Sequence, residues 1–106
     1  MAETFKELMP EEAHELLKNQ DVYLLDIRDQ GSYENGHIKD AQNIQDNNIQ
    51  SFLASADRNK PLVCYCYHGN NSRMAAQYFM SQGFRDVYHI MGGFDAWQSA
   101  FPEADA

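Results

Sequence analysis

Only two cysteines occur in the 106 residues, Cys64 and Cys66, and a single residue separates them. That spacing supports no disulfide framework, because in a strand the two side chains share a face but stand about 7 Å apart at the backbone. Both are expected to be reduced, as in a cytosolic protein. Basic residues are scarce as well: Lys and Arg number 8 against 16 Asp and Glu, a formal charge of −8. Nucleic acid and anionic membrane both call for a basic stripe, so neither is an expected partner, and the excess acid reads as solubility. There is no long hydrophobic run. The opening MAETFKELMPEEAHELL carries acids at once and lacks an uninterrupted apolar stretch, which argues against a secretory leader or a membrane span and leaves the cytoplasm as the expected location. Repeats, low-complexity segments and linkers are missing too. One domain over residues 1–106 is expected, long enough to bury roughly two thirds of its unfolded surface without disulfides or metal.

What is present centres on PLVCYCYHGNNSRMAAQYFMSQG, from Pro61 to Gly83. Leu62 to Tyr65 are strand formers in an unbroken apolar run, the pattern of a strand buried on both faces. Cys66 ends that strand. Tyr67, His68, Gly69, Asn70 and Asn71 form a short polar loop, in which Gly69 permits positive φ and the Asn pair suits a turn or an N-cap. A helix is expected from about Ser72, with Ala75, Ala76, Phe79 and Met80 as its apolar stripe and Gly83 as its stop. A cysteine placed there faces loop amides and the positive end of a helix, both of which favour an anion. An ordinary thiol is only a few per cent thiolate near neutrality, and a depression of ~2 pKa units, worth ~2.7 kcal/mol, makes thiolate the main form. Cys66 is therefore the candidate nucleophile. Arg73 and His68 are the nearby groups able to add positive charge for a small anionic substrate.

The remaining elements alternate. Thr4 to Leu8 is a short edge strand, and Pro10 opens a helix with Glu11 and Glu12 in its first turn. Asp21 ends that helix and Val22 to Ile27 is a second buried strand. Asp26 and Arg28, at its carboxyl end, read as a structural ion pair or cap. Ser32 to Glu34 form one helical turn closed at Gly36, His37 reads as a hydrogen-bonded structural residue, and Ile38 with Ala41 to Ile44 suggests a short third strand. Ile49 to Ala56 carries a helical stripe, Val87 to Ile90 is another buried strand, and Gly92-Gly93 starts a closing helix with Phe94, Trp97 and Phe101 on one face. Pro102 terminates it. Strands alternating with helices over short connections indicate an α/β fold of three layers, a mainly parallel central sheet covered by helices on both faces.

Three blocks now carry a recognisable pattern: LLDIRDQGSYENGHIKDAQNI, then CYHGNNSRMAA, then VYHIMGGFDAWQ. In this order they resemble the single-domain rhodaneses, most closely the bacterial thiosulfate sulfurtransferases of the GlpE type. The resemblance implies that Cys66 is a persulfide-forming nucleophile whose sulfur is cradled by the amides of Tyr67, His68, Gly69, Asn70, Asn71 and Ser72. It implies mainly structural roles for Asp26, Arg28, Gly36, His37, Gly92, Gly93 and Trp97. The implied reaction takes the outer sulfur of thiosulfate, releases sulfite, and passes the sulfur to cyanide, a small thiol or a thioredoxin-like protein, with no metal or organic cofactor. Many rhodaneses carry a basic residue directly after the cysteine, where this chain has Tyr67.

Three alternatives are open at this point. A phosphatase or arsenate reductase would bind a tetrahedral oxyanion in the same loop, but C-x5-R spacing puts its arginine at position 72, which is Ser72, and Arg73 comes one residue late. One residue turns a helical side chain by about 100°. A redox C-x-C pair would need Cys64 and Cys66 to bridge within a strand. Cys64 reads instead as core. A non-catalytic binding module of the rhodanese kind commonly lacks the loop cysteine, which is present here.

Overall fold

The structure, a computed structural model, describes residues 5–102. Five strands, β1 (Lys6–Leu8), β2 (Tyr23–Asp26), β3 (Gln42–Asn43), β4 (Leu62–Tyr65) and β5 (Val87–Ile90), form one sheet in the order β1-β5-β4-β2-β3. Every pairing between them is parallel. Five helices connect them: α1 (Pro10–Asn19), α2 (Gln30–Asn35), α3 (Ile49–Ser55), α4 (Asn70–Ser81) and α5 (Gly93–Ala100). β4, wholly buried, is the central strand.

Alternation along each strand divides the core into two layers. Leu25, Cys64 and Val87 pack with Phe52 and Leu53 of α3 and Ala76 and Phe79 of α4. On the other face Leu24, Val63, Tyr65 and Ile90 pack with Ala13 of α1 and Phe94 and Trp97 of α5. The expected three-layer α/β architecture is therefore present. Parallel strands buried on both faces explain why their sequences are apolar without a break.

Local differences from the sequence reading have local causes. α4 begins at Asn70, two residues before Ser72, because Gly69 is itself the N-cap, in a left-handed conformation at φ +99°. Asn70 and Asn71 thus belong to the first helical turn. α2 spans six residues because Asp29 caps it, its carboxylate accepting hydrogen bonds from the Ser32 amide (3.1 Å) and hydroxyl (2.8 Å). The third strand shrinks to two residues. α1 closes at Asn19, before Asp21. Thr4, expected in β1, lies outside the described residues.

One row of side chains crosses the sheet at the level of Cys64. Leu25 is in register with Cys64, Cys64 with His89, and His89 with Glu7. Residues in register in a parallel sheet point to the same face. The row is apolar in the middle and turns polar toward the β1 edge, beneath the start of α4.

Candidate active site

The sulfur of Cys66 sits at the carboxyl end of the central strand, where open parallel sheets place their ligands. Its backbone is held from one side and its sulfur from the other. The Phe94 amide donates to the Cys66 carbonyl (2.7 Å) and the Asp95 amide to the Tyr67 carbonyl (3.0 Å), so the first turn of α5 takes up the loop's acceptors. The Gly69 amide donates to Sγ at 3.0 Å and the Ser72 amide at 3.3 Å. Orphan donors at the head of α4 are thereby directed at the sulfur. The Ser72 hydroxyl is the third group on Sγ, at 3.5 Å.

Glycines make this closeness attainable. A Cβ on Gly93, whose φ is +62°, would lie 2.6 Å from the carbonyl carbon and oxygen of Tyr67. One on Gly69 would lie 3.1 Å from the Gly92 amide nitrogen. The two glycine turns are packed against each other, and the loop is clamped between α4 and α5.

The sequence-derived candidates separate into two groups. Cys66 (4% exposed), Gly69 and Ser72 are buried and converge on the sulfur. Tyr67, His68, Asn70, Asn71 and Arg73 are exposed. The Tyr67 and His68 rings stack with centroids 4.7 Å apart, and His68 Nδ1 is 3.9 Å from the Asp95 carboxylate. The Arg73 guanidinium, 54% exposed, is turned to the Glu7 carboxylate at 2.6 Å. Beside the loop, Arg28, Ser32, Tyr67, Phe94 and Gln98 border a cleft of about 230 Å³.

Asp26 and Arg28 form the buried ion pair expected of them, Nη2 to Oδ2 at 2.7 Å, with a further bond from Arg28 to the Gly36 carbonyl. Burial works against the Arg28 charge, but the hydrogen bonds and charge of Asp26 outweigh it and hold the guanidinium pKa above its ordinary value. His37 is bonded to the Tyr33 carbonyl and stacked on its ring. Cys64 is in the core, where burial and then the neighbouring Cys66 push its thiol far up from 9.0.

Two residues at the site escaped the sequence reading. His89 Nδ1 is 2.9 Å from the Ser72 hydroxyl, and His89 Nε2 is 2.9 Å from Glu7 Oε2. They lie 82 positions apart, in strands that meet only when the sheet forms. The available signal was a histidine inside the otherwise apolar strand run VYHI.

Residues 9–100 match the family model of the rhodanese-like domain. The chain is 46% identical to a thiosulfate sulfurtransferase GlpE of Pseudomonas paraeruginosa over 102 residues, covering 96% of this chain and 92% of that protein. It is 41% identical to the thiosulfate sulfurtransferase GlpE of Coxiella burnetii, covering 96% and 95%. Among solved structures, a protein of unknown function from Rhodopseudomonas palustris, named a "possible tyrosine phosphatase", superposes with a TM-score of 0.79 at 30% identity, covering 91% of this chain and 81% of that one.

Proposed function

The chain belongs to the rhodanese-like family, and from that membership and the anion-facing geometry at Cys66 we propose that it is a thiosulfate sulfurtransferase. The observation that carries the reading is a buried sulfur at the head of α4 with two amide donors on it. Such donors stabilise a thiolate before attack and the negative charge that develops during it. Cys66 attacks the outer sulfur of thiosulfate: the new S–S bond forms to Sγ, the old one breaks, and sulfite leaves with its electron pair. The outer sulfur of the persulfide then lies one S–S bond, about 2 Å, beyond Sγ. The loop from Tyr67 to Ser72 surrounds that position in this reading, with His68 and Arg73, the latter's guanidinium held by Glu7, at its exposed rim. Cyanide, a small thiol or a thioredoxin-like protein removes the sulfur as a nucleophile and returns Cys66 to the thiolate. Two free cysteines fit a cytoplasmic setting.

The rival reading is phosphoryl transfer, since one structural neighbour is named a possible tyrosine phosphatase. Phosphoryl transfer needs a guanidinium clamped on the transferring oxyanion. Here Arg73 pairs with Glu7, which favours sulfur over phosphorus chemistry.

Intact-protein mass after incubation with thiosulfate tests the proposal. A gain of one sulfur atom on the native chain, absent in Cys66→Ser, reversed by cyanide and matched by sulfite release, is the expected result. A folded, reduced protein that gains no sulfur but hydrolyses an aryl phosphate would overturn it.

A further inference from the structure

The contacts behind Cys66 form a continuous chain from the sulfur to the protein surface. Sγ is 3.5 Å from the Ser72 hydroxyl, that hydroxyl 2.9 Å from His89 Nδ1, and His89 Nε2 2.9 Å from Glu7 Oε2. His89 is 1% exposed, whereas Glu7 is 32% exposed and reaches solvent. Each link has a defined direction. An ionised carboxylate only accepts, so Nε2 carries a hydrogen toward Glu7, and Nδ1 of a neutral ring is left as an acceptor. The Ser72 hydroxyl then donates to Nδ1 at 2.9 Å rather than to the more distant Gly69 carbonyl at 3.4 Å, and accepts from the Cys66 thiol.

We propose that His89, oriented by Glu7, takes the Cys66 proton through the Ser72 hydroxyl, so that the resting form of the site is a thiolate and imidazolium pair bridged by that hydroxyl. The transfer moves two protons one hydrogen bond each. The thiol proton passes to the Ser72 oxygen as the original hydroxyl proton passes to His89 Nδ1. Sulfur keeps the electron pair, serine ends neutral with its hydroxyl now donating to the thiolate, and the imidazolium donates from both nitrogens, to Ser72 and to Glu7. No oxidant or other reactant takes part. Persulfide formation and sulfur release both leave an anion on the same sulfur chain, so the imidazolium stays charged through the cycle.

The groups facing His89 support this direction of transfer. From β1 comes the Glu7 carboxylate, held below its usual range chiefly by the His89 hydrogen bond. From α4 come Ser72 and, through Glu7, the Arg73 guanidinium, which keeps Glu7 ionised. From β4 come Cys64, in register with His89 and held as a neutral thiol, and then Cys66. The Phe5 ring lies edge-on at 5.4 Å, and Lys6 is directed away to Asp86. Ser72 touches the reacting sulfur and is catalytic in this scheme; His89 and Glu7 are positioning residues that act through it.

This inference rests on Cys66 being the nucleophile, yet its test needs no thiosulfate. The rate of iodoacetamide alkylation of Cys66 is followed against pH by mass spectrometry in the full chain, in H89Q, S72A and E7Q. H89Q and S72A are expected to react roughly tenfold more slowly than the native chain near pH 6.5 and to converge with it above pH 10, since one unit in thiol pKa is tenfold in thiolate. E7Q is expected to shift in the same direction by less. A histidine that merely fills space would change the rate by one factor at every pH or leave it unchanged, and either result overturns the proposal. Should H89Q fail to fold, the native protein decides: ¹⁵N shifts of the His89 ring should report two protonated nitrogens at neutral pH and one after Cys66 is alkylated. A neutral ring in the unmodified protein would also overturn it. Loss of the sulfur adduct with the pH shift intact would overturn the sulfurtransferase reading and leave the relay standing.

Discussion

Two thiols separated by one residue become different functional groups because β4 ends between them. Cys64 is fully buried and its thiol is directed at the carbonyls of Ser72 and Tyr88, both at 3.6 Å. Both partners are acceptors, so the proton must stay on sulfur. Cys66, two residues on, meets amide donors instead. Burial raises the folded pKa of Cys64, so the stability it contributes is complete below the unfolded value of 9.0 and is lost as pH rises beyond it. Cys64→Ser is expected to form the sulfur adduct as the native chain does and to show a shallower fall in urea stability above pH 9. An identical alkaline slope, or loss of the adduct in a folded variant, would refute this account of Cys64.

At the scale of elements, the loop depends on α5 as much as on α4. Gly93→Ala places a methyl group against the Tyr67 carbonyl in a backbone region disfavoured for alanine, and the Phe94 amide must retreat from the Cys66 carbonyl. A loss of roughly 3 kcal/mol is expected from strain and overpacking together, with slower Cys66 alkylation. An unfolding free energy within about 1 kcal/mol of native, from denaturant titration, would show that the clamp is looser than described. Arg58 does comparable work elsewhere, donating to the carbonyls of Leu53, Ala56 and Gln82 while lying over the Phe84 ring. Arg58→Ala should cost about 2 kcal/mol in urea denaturation with an unaltered alkylation rate; a changed rate would mean that α3 and the end of α4 reach the site. These elements show what the sequence makes legible. The apolar runs of β2, β4 and β5, the Pro10 start, the Gly83 stop and the Gly92-Gly93 turn are local signals, and the fold and Cys66 follow from them. Arg58 carries no such local signal, because its three acceptors come from the ends of two helices. Glu7 and His89 were invisible for the same reason: their meeting is a property of strand order. The two-residue error at the start of α4 arose because Asn at a helix start and Asn in a loop are chemically alike.

For the whole molecule the decisive quantity is the charge of −8 on a body of 37 × 28 × 24 Å. The arginines beside the loop are each accompanied by a carboxylate, Arg73 by Glu7 and Arg28 by Asp26. Their fields cancel beyond a few ångströms, so an approaching doubly charged anion meets the net negative charge first. The range of that repulsion is set by salt, with a Debye length of about 30 Å at 0.01 M and about 3 Å at 1 M. At low ionic strength the whole surface acts on the anion; at high ionic strength only the amides and side chains at the sulfur do. The second-order rate of adduct formation with thiosulfate is therefore expected to rise several-fold from 0.01 M to 0.5 M salt, opposite in sign to the attractive steering of a basic cleft. Iodoacetamide, which is neutral, should alkylate Cys66 at a nearly constant rate over the same range. A thiosulfate rate that falls with salt would locate a positive field at the loop strong enough to prevail over eight net negative charges, and Arg73 would then have to leave Glu7 when the anion arrives.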